Sequence, residues 1–262
     1  MRARLSAGLI AAIVVVGCVS ASQALDQQWG YLYAAAAPDT ATILPAAPSV
    51  DSPEGAADRA IFKATRTLKD SPRWALAKGD ANEAITAMLR DFSCAAGTDL
   101  NETSAPRFTA ILRKLGPDIL AAVNRPKALY QRKRPYLIDE GEICVPRAAD
   151  LARSPDYPSG HATWGWTVGL LLAELAPDRA TPILSRARAF GESRVVCGVH
   201  NASAVDAGVM NAAALVAALH AEAAFRTDMD GARAEMAGLR AAVAPASQAC
   251  AAEAALTAHR PW

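Results

Sequence analysis

Residues Pro158–Pro177 read PSGHATWGWTVGLLLAELAP. From Ser159 to Leu175 the run is strongly apolar, and Pro177 stops it, because proline cannot continue a helix. Such a run is too long for an ordinary buried strand and reads as a core helix. The same grammar extends on both sides. Ser52-Pro53-Glu54 opens a helix, with Ser as cap and Pro at the first position, that runs to about Leu68. Ala75–Ser93 forms a second helical stretch, and Ala105–Lys133 holds one or two helices broken near Gly116-Pro117. Glu140–Pro158 carries Gly141, Pro146, Pro155 and Pro158 without a clear period and reads as a loop. Helices follow at Thr181–Val196, Ser203–Phe225 and Gly231–Ala242, with a tail helix near Gln248–His259. Alanine dominates an apolar content of 52%, which favours helix over strand. With no β alternation and no internal repeat, the pattern predicts an all-α helical bundle around one main core.

The first 24 residues carry Arg2 and Arg4, no acid, and an apolar run from Ala7 to Val16, as an export signal does. Ser22-Gln23-Ala24 fits cleavage after Ala24. Val15-Val16-Gly17-Cys18 also resembles a lipobox, which would leave Cys18 lipidated. Residues 25–51, rich in Ala and Pro, read as an extended arm, and 52–262 as the helical domain. No segment after the signal is expected to span a membrane. The whole chain has a net charge of +1, so nothing favours nucleic acid or an anionic membrane as partner. Four cysteines remain beyond the signal: Cys94, Cys144, Cys197 and Cys250. In an exported chain they predict two disulfides, with the pairing open among three arrangements. Apolar helices of this kind are compatible with a homo-oligomer, but one sequence identifies no surface for it.

Three clusters carry chemistry. Lys127–Pro135 reads KALYQRKRP. Lys127 and Arg134 lie seven apart, two helical turns, so a helix would point both the same way. A solvated basic face is the plainer reading, since Arg132 and Lys133 lie nearby. Pro135 disfavours helix at Arg134, however, and places it at a helix exit where its side chain can turn into a pocket. Asp156–Trp166 reads DYPSGHATWGW. There Ser159, Gly160 and His161 open the apolar helix, whose first amides lack partners and suit an anion. Trp164 and Trp166 read as packing residues. Ser193–Gly208 reads SRVVCGVHNASAVDAG. Arg194 offers a planar fork for phosphate oxygens, and His200 follows a turn at Gly198. A lone histidine would be a core residue. One lysine, two arginines, helix-start amides, a hydroxyl and two histidines together are what phosphoryl transfer needs.

These residues resemble the acid-phosphatase and vanadium-haloperoxidase superfamily, also called the type 2 phosphatidic acid phosphatase superfamily. Its pattern is K-x6-RP, then PSGH, then SR-x5-H-x3-D. Bacterial class A non-specific acid phosphatases, exported soluble enzymes, are the nearest resemblance, and Pro38-Asp39, Leu44-Pro45, Arg73-Trp74 and Phe92-Ser93 extend it. The resemblance implies that His200 is a nucleophile forming a phosphohistidine and that His161 is the general acid. Lys127, Arg134, Ser159, Gly160 and Arg194 would hold the phosphate, with no metal or other cofactor. Small phosphorylated substrates, broad in range, are implied. The family's orienting Asp, four residues after the nucleophile, is Ala204 here. Either Asp206 reaches back to the ring, or Ser203, a backbone carbonyl or water takes its place. Two other readings use the same cradle: a vanadate-dependent haloperoxidase, and a phosphate-binding protein that lost turnover with the Asp. Vanadate would inhibit the phosphatase.

Overall fold

The computed structural model describes residues 30–32, 36–241 and 248–262. The expected signal sequence, the cleavage position expected near Ala24 and Cys18 lie outside them. The described residues form eleven α-helices and no strand. In chain order they are α1 Thr40–Ile43, α2 Pro53–Thr65, α3 Pro72–Gly79, α4 Ile85–Ala96, α5 Pro106–Tyr130, α6 Ala149–Arg153, α7 Gly160–Leu175, α8 Ala180–Val196, α9 Ala202–Leu219, α10 Ala223–Ala241 and α11 Gln248–Thr257.

The apolar run around Leu171 is the central helix, α7. Ser159 caps it by accepting from the Ala162 amide at 3.3 Å. Its most extensive neighbours are α8 and α9, the two helices that flank the His200 turn. Small residues permit that closeness. A Cβ at Gly169 would collide with Ala187 on α8. A Cβ at Gly208 on α9 would lie 2.7 Å from the Ser159 carbonyl. Leu112, Leu115, Val168, Leu171, Leu172, Phe190 and Leu215 fill the core between α5 and these helices. Trp164 is buried and Trp166 packs against the same core, as packing residues do.

Several boundaries differ from the sequence pattern. α5 continues through Pro117 and Pro126 where a break was expected. Its buried face, including Phe108, Ile111, Leu115 and Ile119, outweighs the hydrogen bonds that proline removes. The stretch 75–93 divides into α3 and α4, because Asp80 is drawn into an ion pair with Arg186 of α8 at 2.5 Å. α9 stops at Leu219, and α10 begins at Ala223, earlier than expected. Within the loop 140–158 the short α6 forms. Among the described residues, α9 is also long and apolar enough to cross a membrane, contrary to expectation, although half of it is buried inside the fold.

The arm is tied down along α5. Tyr31 and Leu32 amides donate to the Asp118 carboxylate at 2.7 and 3.2 Å, and Thr40 Oγ1 donates to the Ala122 carbonyl at 2.8 Å. Two disulfides settle the pairing: Cys94 with Cys250 joins α4 to α11, and Cys144 with Cys197 joins the long loop to the end of α8. A cavity of about 750 Å³ beside Cys94–Cys250 is lined by α4, α8 and α11 and contains none of the motif residues.

Candidate active site

Lys127 and Arg134 do converge, but not by helical periodicity. α5 ends at Tyr130, and Gln131, at φ 46°, turns the chain left-handed. Arg134 is extended before Pro135, at φ −69° and ψ 151°. Both side chains reach Ser154, whose Oγ accepts from Lys127 Nζ at 3.1 Å and from Arg134 Nη2 at 3.2 Å. Arg134 also donates to the carbonyls of Ser154 and Val199, each at 2.7 Å. Burial and the neighbouring Arg134 push Lys127 down to about 8.

At the start of α7, Ser159 is buried and Gly160 and His161 are partly exposed. The Ser159 amide donates to the Ala204 carbonyl at 2.9 Å, which fixes the PSGH segment to α9. Ser159 Oγ accepts as the cap, and its own proton remains a donor. The Ala162 amide is taken by that cap, and the Gly160 and His161 amides have no intrahelical acceptor. His161 lies between two acceptors: Glu83 Oε2 is 3.1 Å from Nδ1, and the Ala81 carbonyl is 3.1 Å from Nε2. Burial and then Arg194 hold its pKa well below the ordinary histidine value, and the Ala81 carbonyl works against them.

α8 contributes Ser193 and Arg194. Ser193 is structural: its Oγ donates to Asp80 Oδ2 at 2.5 Å and accepts from Arg73 Nη1 at 2.8 Å. Arg194 is 3% exposed, and its Nε and Nη1 have no hydrogen-bond partner. A buried guanidinium with idle donors is costly unless an anion completes it. Burial and Arg134 lower its pKa to about 10.

The turn that delivers His200 is held from three sides. Gly198 takes φ 81°, a conformation side chains rarely adopt, and a Cβ there would lie 2.5 Å from Arg66 Nη1. Arg66 Nη2 donates to the Val195 and Val196 carbonyls at 2.9 and 2.7 Å, satisfying the end of α8. Cys197 is bonded to Cys144, and the Val199 and His200 amides both donate to the Arg194 carbonyl, at 3.1 and 3.3 Å.

The His200 ring itself is fixed at both nitrogens. Nδ1 lies 2.9 Å from Asp156 Oδ1, and Nε2 lies 3.0 Å from Arg134 Nη1. Arginine can only donate, so Nε2 carries the lone pair and Nδ1 the proton. Burial, then Arg134, Lys127 and Arg194, hold the His200 pKa well below its usual value, which keeps the ring neutral. Asp156 is fully buried. Its carboxylate accepts from the Asn201 amide at 3.1 Å and Asn201 Nδ2 at 2.8 Å, with Arg132 Nη1 at 3.4 Å. Burial raises its pKa, but each of these contacts comes from a donor, so the ionised form is the one satisfied here.

Asp156 therefore stands where Asp206 or Ser203 was expected. Asp206 is exposed and pairs with Arg260 at 3.2 Å. Ser203 accepts from Arg132 at 2.7 Å and bonds Asp58, so it touches the ring only through Arg132 and Asp156. Ala204 is buried against Leu44, Tyr157 and Ala207. Asp156 directly precedes Tyr157-Pro158 in the sequence, and an acid beside the PSGH segment is the signal that could have found it. Arg132, read as surface charge, has a side chain only 8% exposed and pairs with Asp58 at 2.8 Å. Glu83 and Arg66 carried no sequence signal. His161, His200, Lys127, Arg134 and Arg194 lie close enough to act on one another electrostatically, and Ser159 and Gly160 directly precede His161.

The helical frame thus brings together a histidine backed by a carboxylate, a lysine and two arginines, one of them Arg194 with idle donors. The chain belongs to the PAP2 superfamily, whose family model matches residues 109–227. An acid phosphatase of Zymomonas mobilis is 42% identical over 190 residues, 72% of each chain. Non-specific acid phosphatases of Providencia stuartii and Salmonella typhimurium are 34% and 33% identical, covering 80% and 74% of this chain and 86% and 78% of theirs.

Proposed function

We propose that the protein is an exported, metal-independent acid phosphatase that hydrolyses phosphate monoesters through a phosphohistidine. The observation that carries this reading is Arg194, buried with two idle donors beside a histidine whose lone pair is already set. A phosphate would complete the Arg194 fork, and Lys127, Arg134, the Ser159 hydroxyl and the Gly160 amide would take its remaining oxygens. These cations stabilise the negative charge that spreads over the equatorial oxygens in transfer. His200 Nε2 attacks phosphorus as the ester P–O bond breaks, and His161 gives its proton to the departing oxygen. Phosphorylation makes the His200 ring cationic, and Asp156 offsets that charge. Water then attacks the phosphohistidine, His161 takes its proton, and inorganic phosphate leaves. Asp156 at Nδ1 favours turnover over a role limited to phosphate binding.

Two disulfides support an oxidising compartment, in keeping with the export signal at 1–24. Substrate breadth follows from a cradle built for phosphate rather than for what it is attached to. The test is release of p-nitrophenol from p-nitrophenyl phosphate between pH 4 and 8, with EDTA, beside His200→Ala. An alkaline, denaturing quench of a substrate labelled at phosphorus should trap a base-stable, acid-labile phosphoprotein in the wild type and none in the variant. Hydrolysis that survives in His200→Ala, or that needs added metal, would remove the proposal.

A further inference from the structure

The linker Asp80–Ala84 between α3 and α4 lies against the general-acid histidine and is fixed at both ends. Asp80 is buried and bonded to Arg186 and Ser193, each at 2.5 Å. Trp164 Nε1, on α7, donates to the Glu83 carbonyl at 3.3 Å. Asn82 Oδ1 accepts from the Ala84 amide at 3.1 Å and tightens the turn between them. This anchoring places the Ala81 carbonyl on His161 Nε2 and the Glu83 carboxylate on Nδ1.

The two acceptors are not equivalent. Ala81 presents backbone held by the linker, whereas Glu83 presents a side chain 53% exposed to solvent. A leaving-group oxygen that takes a proton from His161 must displace one of them, and the exposed side chain yields more readily than the anchored backbone. Nδ1 is therefore the nitrogen that faces the departing alcohol, and Glu83 stands at its side. Resting on the phosphatase reading, we propose that Glu83 is a specificity-determining residue for the alcohol half of the ester. Its negative charge favours substrates whose leaving group is cationic or neutral near the ester oxygen and works against those bearing a further anion there.

The size of the effect follows from charge separation. Two charges roughly 6 Å apart, between a water-like and a protein-surface dielectric, change a rate by about tenfold. The effect shrinks as salt rises. The experiment compares kcat/KM at low ionic strength for O-phosphoethanolamine, p-nitrophenyl phosphate and phosphoglycolate in the wild type, Glu83→Gln and Glu83→Lys. Glu83→Gln should raise phosphoglycolate about tenfold relative to p-nitrophenyl phosphate and lower O-phosphoethanolamine by a similar factor. Glu83→Lys should move both ratios further in the same directions. Unchanged ratios in both variants, with p-nitrophenyl phosphate still hydrolysed, overturn the role of Glu83 alone. A wild type that hydrolyses none of the three overturns the phosphatase reading and this inference with it.

Discussion

Removing Asp156 is the perturbation that most directly probes how the site is set. Its carboxylate holds His200 Nδ1 at 2.9 Å in a fully buried position. When Nε2 bonds phosphorus, the ring gains a positive charge about 4 Å from that carboxylate, worth about 4 kcal/mol at a protein-surface dielectric. Loss of that stabilisation corresponds to about 10³-fold in rate. Asp156→Asn keeps the volume, but its amide can present N–H groups to Nδ1 and favour the wrong tautomer. Nε2–H would then face the Arg134 guanidinium. Asp156→Ala and Asp156→Asn should both lower kcat by about 10²–10³-fold, with KM changing far less, because the phosphate cradle is untouched. Arg132 keeps Asp58 in either variant, so a loss of about 2–4 kcal/mol in folding is expected and the chain stays folded at assay temperature. Thermal unfolding followed by circular dichroism checks that point. Ala204→Asp added to Asp156→Ala should recover part of kcat by returning an acid at the position of the family pattern. A kcat within threefold of wild type in both folded single variants would refute the reasoning.

Three other outcomes follow from the same geometry. The pH–rate profile should be bell-shaped with its optimum on the acid side: activity disappears as pH rises through the His161 pKa, which burial holds low, because the acid then lacks its proton. The acidic limb reports protonation of His200, which burial and three cations keep neutral above it. Arg194→Ala should weaken phosphate or vanadate binding at least tenfold by calorimetry, yet leave the ligand-free melting temperature unchanged or higher, since an unpartnered buried cation has been removed. Opening Cys144–Cys197 by a double substitution with Ser should cost about 4 kcal/mol in denaturant unfolding on the loop-entropy model for a separation of 53 residues.

The fold was largely legible because its signals are local. Ser52-Pro53, the apolar run ending at Leu175 and Pro177 each specify a boundary without reference to the rest of the chain. α5 was misread because burial of residues such as Ile111 and Ile119 decides its continuity, and burial is not local. The proposed cradle could be put forward from sequence because its residues fall in three short motifs. Asp156 could not, since its role depends on a contact with a residue 44 positions away. Glu83 was hidden for a related reason: the linker that carries it is anchored where Asp80 meets Arg186 of α8, 106 positions away.

The position of Asp156 also bears on how such chains are recognised. A search pattern that demands an acid four residues after the histidine rejects this chain, although a carboxylate sits on the ring nitrogen that pattern protects. Written as geometry, the requirement is an acid within hydrogen-bonding reach of Nδ1, and more than one position in the chain can supply it. The first turn of α9 is then released from chemistry, and Ala204 becomes a packing position open to apolar substitution. Chains with a small residue there and an acid two places before the PSGH proline would form a subgroup that motif-based sorting discards as inactive.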